Sequence, residues 1–182
     1  MLSRHISRRG FFKMSAGGVL IASSVSSQLL AAKITPSRTL AIHSLNTGES
    51  LKSCYFDGLN YVDEELKRLD YLCRDHRKNE VYPLDRRLFD QICQIQELVG
   101  SKSEVVVISG YRSPSTNARL RKNSSGVAKK SMHMEGRAID FRLDGVKLSA
   151  VRDAALSLKA GGVGYYPSSN FVHIDTGAVR SW

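Results

Sequence analysis

The chain has 182 residues, of which 42% are hydrophobic and 24% charged, with a formal net charge of +10. That length suffices for one domain with a sizeable core and hardly for two. The positive balance suits an anionic partner such as cell wall or lipid headgroups, or serves solubility alone.

Residues 7–13, SRRGFFK, place two arginines ahead of an apolar pair and a lysine, and an uncharged run rich in Ser, Gly and Ala follows from Met14 to Leu30. That layout predicts a twin-arginine export signal over residues 1–32, cut after Ala31 or Ala32, in preference to a spanning helix. Residues 33–182 are then a single mature domain in the periplasm, with no stable membrane span of its own. Export disfavours nucleic acid as a partner. Arg4, Arg8, Arg9 and Lys13 belong to the signal, which leaves about +6 for the domain. Cys54, Cys73 and Cys93 are odd in number and lack C-x-x-C spacing, so at most one disulfide can form, and small buried thiols are the plainer expectation.

From Arg38 to Phe56 two strand-like runs flank Asn46-Thr47-Gly48, which predicts an opening hairpin. Val62, Leu66, Leu69 and Cys73 share one helical face, and Asp63, Glu64 and Glu65 crowd its start, predicting a helix to about Arg77. A second helix runs from an Asp85 cap along Leu88, Ile92, Ile95 and Val99 to Gly100. The β-branched run EVVVISG, 104–110, reads as a buried strand that delivers the chain into a short helix over Ser115–Arg121. A long polar loop follows from Asn123 to Ser131. RAIDFRL, 137–143, alternates as a strand, a third helix carries Leu148, Val151, Ala155 and Leu158 as far as Gly161-Gly162, and two strands close the chain near 163–166 and 171–175. The sum is an α+β domain with a small mixed, mainly antiparallel sheet packed against helices.

Strand alternation puts Ala138, Asp140 and Arg142 on one face of RAIDFRL, and Phe171, His173 and Asp175 on one face of FVHID. With His133 brought in by the preceding loop, the three residues His133, Asp140 and His173 can offer N, O and N to one ion. Two imidazoles and a carboxylate leave a fourth position open, the catalytic zinc pattern; manganese, iron and nickel fit less well. Spacing alone is a weak signal. It gains from Gly136, which permits a close approach to the strand, and from Asp140, a carboxylate in an apolar run that is costly unless coordinated or paired.

The segments SGYRSPSTN, SMHMEGRAIDF and GGVGYYPSSNFVHIDTG resemble the M15 class of zinc peptidases, which share an S-x-H-x-x-G-x-A-x-D motif and a later zinc histidine. More narrowly the likeness is to their murein endopeptidase branch, over nearly the whole chain. It implies a Hedgehog/D-Ala-D-Ala peptidase-like fold, Zn2+ on His133, Asp140 and His173, and Arg112 near the substrate or the developing oxyanion. It also implies hydrolysis of peptidoglycan peptide cross-links, at D-alanyl-diaminopimelate or diaminopimelate-diaminopimelate bonds. One departure stands out. Many relatives set a carboxylate as general base three residues before the last zinc histidine, or use a further histidine two before it, where this chain has Asn170 and Phe171. Asp175 is the nearest substitute, some 6 to 7 Å along the strand, either as the base or as a carboxylate orienting His173; Glu135 is a third option. The missing carboxylate keeps open a non-catalytic zinc-stabilised wall-binding module, and a D,D-carboxypeptidase or dipeptidase is a nearer alternative. Tyr165, Tyr166 and Phe171 either line a groove or pack in the core, Trp182 pins the terminus, and Lys129, Lys130 and Arg121 either meet acidic peptides or form a solvated face.

Overall fold

The hairpin at the start of the domain forms as its turn residues require: β1 (Arg38–Ser44) and β2 (Ser50–Phe56) pair antiparallel across Asn46-Thr47-Gly48. The structure is a computed structural model that describes residues 35–124 and 126–182, and the export signal predicted over 1–32 lies outside them. Helix α1 (Asp63–Leu72) buries Leu69 and Leu72 and stops five residues short of the predicted Arg77. The stop is tertiary in origin. The Cys73 carbonyl accepts the Tyr111 N–H at 2.8 Å, and Asp75 pairs with Glu80 instead of continuing the helix. Helix α2 (Arg87–Leu98) starts where the Asp85 carboxylate accepts the Arg87 N–H at 3.1 Å, and it sinks Leu88, Ile92 and Ile95 into the core.

Strand β3 (Val105–Ser109) leads to α3 (Pro114–Asn123), which is capped by Ser113, whose hydroxyl accepts the Thr116 N–H. After the loop come a 3₁₀ turn (Met132–Glu135), β4 (Ala138–Leu143), α4 (Leu148–Leu158), β5 (Gly162–Tyr166) and β6 (Phe171–Asp175). Helix α4 ends at Lys159, in the left-handed conformation, just before the predicted glycines. A two-residue strand that the sequence did not suggest, β7 (Arg180–Ser181), pairs parallel with β5.

The seven strands form one mixed sheet in the order β2-β1-β3-β4-β6-β5-β7, antiparallel except at β1·β3 and β5·β7. Helices α2 and α4 cover one face, where Ile139, Phe141, Val172 and Ile174 are fully buried. Each such side chain contributes roughly 1.5–3 kcal/mol by leaving water. The neighbours of these four residues, Asp140, His173 and Asp175, point by alternation to the opposite face. All three cysteines are free thiols, Cys73 and Cys93 buried and Cys54 exposed. Among the described residues no helix is long and apolar enough to cross a membrane.

Candidate metal centre

Asp140 and His173 sit directly opposite each other in the β4·β6 ladder, so one register choice brings a carboxylate and an imidazole side by side. His133 enters from the 3₁₀ turn, which ends in Gly136 at φ +64. A side chain at 136 would be strained by that φ and would overlap the Pro83 carbonyl. The turn is held in place because the Arg112 N–H donates to the His133 carbonyl at 3.1 Å and the Arg137 N–H to that of Met132 at 3.0 Å.

His133 Nε2, His173 Nδ1 and Asp140 Oδ1 converge, with separations of 3.3 Å between the two nitrogens, 2.8 Å from His173 to Asp140 and 3.2 Å from His133 to Asp140. All three residues are buried. The outer nitrogens decide what the inner ones are. His133 Nδ1 lies 2.7 Å from the Gly110 carbonyl, which can only accept, so the proton sits on Nδ1 and Nε2 presents a lone pair. His173 Nε2 lies 3.2 Å from Asp175 Oδ2 and Nδ1 lies 2.8 Å from Asp140 Oδ1; with the proton of the neutral ring on Nε2, toward Asp175, the Nδ1 lone pair faces His133 and Asp140. In these tautomers two lone pairs and a carboxylate oxygen face one point, an arrangement that suits a cation. Ligand atoms at this spacing, with the outer nitrogens already engaged, fit a tetrahedral N, N, O metal site with one position left open.

Burial would lower the His173 pKa, but the Asp140 and Asp175 carboxylates outweigh it and push it up to about 9, so without a metal a second proton bridges Nδ1 to Asp140, and a metal ion bound there takes that proton's place. Asp140 shows the converse: burial raises it, while His133 and His173 hold it well below the usual carboxylate range. Asp175 is fully buried and accepts from five donors: His173 Nε2, the Gly162 and Gly177 N–H groups at 3.0 and 2.8 Å, and Arg180 Nη1 and Nη2 at 3.1 and 2.5 Å. Arg112 stands beside the triad with Nη2 3.7 Å from Asp140 Oδ2, and its buried Nε has no partner.

The triad forms the floor of a cleft of about 420 Å³. Ser124, Gly126, Val127, Ala128, Lys130 and Ser131 make one wall, and Tyr166, Phe171 and Trp182 make the other. A family model described as peptidoglycan L,D-endopeptidase MepK, within the M15 peptidases, matches residues 32–182. The chain belongs to this peptidase family. It is 49% identical over 171 residues to the peptidoglycan L,D-endopeptidase MepK of Escherichia coli strain K12, across 93% of this chain and 94% of that protein. It is 47% identical over 172 residues to the probable peptidoglycan L,D-endopeptidase MepK of Haemophilus influenzae, across 93% and 92%. No solved structure matches it.

The remaining predicted residues sort by position. Tyr166 and Phe171 stack at 4.5 Å in the cleft wall, whereas Tyr165 turns to the helix side, where Arg152 lies over its ring. Glu135 is exposed and paired with Arg137, and Asn170 is exposed in the left-handed conformation; neither lines the cleft. Asp140 and Asp175 are the carboxylates that do. Sequence reasoning missed the part that β7 plays. It carries Arg180 to Asp175 and sets Trp182 5.3 Å from the His173 ring, with the indole N–H donating to the Tyr166 hydroxyl at 2.7 Å. Gly164, opposite His173 in the ladder, makes that seat possible, since a Cβ there would lie 2.8 Å from the indole. No local pattern marks a two-residue edge strand, and the only hint was the single tryptophan.

Proposed function

We propose that this peptidase hydrolyses peptide cross-links of peptidoglycan in the periplasm, after export by the twin-arginine route, with Zn2+ held by His133, Asp140 and His173. The observation that carries the reading is the convergence of two imidazole nitrogens and one carboxylate oxygen in a buried spot at the floor of a cleft. Zinc bound there supplies Lewis acidity toward a peptide carbonyl and activates water near neutral pH. The chain's own groups do the rest. The Gly110 carbonyl and Asp175 hold the two imidazoles in the tautomers that leave the inner nitrogens unprotonated. Arg112 lines the cleft beside the triad and stabilises negative charge developing on the scissile carbonyl oxygen. With five donors on its two oxygens, Asp175 keeps the His173 Nε2 proton in place and orients the ring, a better match to its surroundings than service as general base.

The relatives' names specify an L,D bond. Of the two cross-links considered, the diaminopimelate-diaminopimelate bond joins an L centre to a D centre, whereas the D-alanyl-diaminopimelate bond joins two D centres. The first is therefore the assigned substrate. Trp182, Tyr166 and Phe171 offer an apolar wall for the aliphatic portions of that peptide. Digestion of purified sacculi, with and without a chelator, followed by mass analysis of the muropeptides tests the whole reading. Chelator-sensitive loss of diaminopimelate-diaminopimelate dimers is expected. Release of terminal alanine with cross-links intact would point to a carboxypeptidase instead, and binding without products would sink the hydrolytic assignment.

A further inference from the structure

The six cations of residues 112–130 are Arg112, Arg119, Arg121, Lys122, Lys129 and Lys130, and no acidic residue lies among them. The rest of residues 33–182 balances to zero, so the domain's entire excess of about six positive charges resides in this one segment. Elsewhere eight lysines and arginines are paired with carboxylates, Arg38 with Asp90 and Arg74 with Glu49 among them. Arg119, Arg121, Lys122, Lys129 and Lys130 are all exposed and form no ion pair among the described residues.

The segment is also fixed to the metal centre. It begins at Arg112, beside Asp140, and ends at Lys130 in the cleft wall next to the turn that carries His133. Asn117 is buried and ties the parts together: its Nδ2 donates to the Ala128 carbonyl at 3.1 Å, clipping the loop onto α3, while its Oδ1 accepts from Arg112. Buried Asp75 accepts from the Ser113 N–H and hydroxyl and anchors the start of α3. Cations spread over a solvated face would need no such scaffold, and solubility would be served equally well by charge placed anywhere.

We propose that α3 and the loop after it form a cationic lip that docks the enzyme onto the carboxylate-bearing peptide stems of the intact peptidoglycan network, outside the scissile bond. The inference rests on the peptidoglycan reading above. An insoluble polymer with several carboxylates per repeat presents many weak sites, and an unpaired cluster beside the cleft raises the local concentration of cross-links at the metal floor. Such attraction weakens with salt over a screening length of about 8 Å at physiological ionic strength.

The test uses the quadruple variant Arg119→Gln, Arg121→Gln, Lys122→Gln and Lys129→Gln, which leaves every residue of the metal centre and cleft wall untouched. Retention on purified sacculi, hydrolysis of sacculi, hydrolysis of a soluble cross-linked muropeptide dimer, zinc content and thermal unfolding are measured in parallel. Retention and sacculus hydrolysis are expected to fall roughly tenfold at low salt, and less at high salt, while hydrolysis of the soluble dimer stays within twofold of the parent. Unchanged sacculus retention, or an equal fall on both substrates with normal zinc and stability, overturns the docking role. Loss of binding to anionic phospholipid vesicles with sacculus retention intact also overturns it and assigns the lip to a membrane surface. If the parent protein cuts neither substrate, the hydrolytic reading fails, and the retention measurement still decides the docking surface by itself.

Discussion

Replacing Asp175 by Asn tests the assignment of this residue most directly, because the two side chains have the same shape and differ in one donor group. The amide oxygen can still accept the Gly162 and Gly177 N–H groups that Oδ1 now takes at 3.0 and 2.8 Å. Its NH2 then replaces Oδ2, which lies 3.2 Å from His173 Nε2. A donor facing that nitrogen drives the imidazole proton to Nδ1, the atom pointing at Asp140 and the metal. The same NH2 also meets the Arg180 guanidinium, which loses its carboxylate partner. Zinc affinity should fall 10- to 100-fold, the usual cost of removing an orienting carboxylate behind a ligating histidine, equivalent to about 1.4–2.7 kcal/mol. The assay is zinc competition against a chelator of known affinity, with hydrolysis measured at saturating zinc. Restoration of most activity by excess metal is expected. Unchanged zinc affinity together with activity that saturating zinc does not rescue would instead make Asp175 the proton acceptor, and the orienting role would be refuted.

Asp140→Ala removes one ligand and leaves the two inward nitrogens without a common partner; the purified variant should carry no zinc and cut no sacculi, and full metal occupancy would refute the ligand set. Gly164→Ala pushes the Trp182 indole from its seat beside His173; KM for a soluble cross-linked dimer should rise several-fold with kcat and zinc content little changed, and Trp182→Phe should recover part of the loss. Asp70 is half-buried, and burial pushes its carboxyl up to about 6 from an ordinary 3.8, against the opposing hydrogen bond from the Leu84 N–H at 2.9 Å. Ionising it in the folded state is therefore unfavourable, so its contribution to stability falls as pH rises from about 4 to about 6 and is level above that. Asp70→Asn should gain about 2 kcal/mol at pH 7 after allowance for partial exposure, with no gain near pH 3, as read by urea unfolding at both values.

Much of this protein is written locally. Alternation in AIDFRL and FVHID assigned Asp140, His173 and Asp175 to the face opposite Ile139, Phe141, Val172 and Ile174, because a strand has period two and one face must be buried. Turn chemistry marked the hairpin, and the apolar stripes marked α2 and α4. Their ends were less legible: α1 stops at Leu72 because Tyr111, nearly forty residues away, takes the Cys73 carbonyl. Register and tautomer lay wholly outside the sequence. That Asp140 falls opposite His173, that Gly110 and Asp175 hold the outer nitrogens, and that β7 folds back to place Arg180 and Trp182 all come from strand order. Residue spacing can nominate ligands because periodicity is a property of the backbone. Only packing decides which lone pairs meet, since a hydrogen bond 3 Å long between residues 23 or 33 apart in the chain exists only once the sheet has closed.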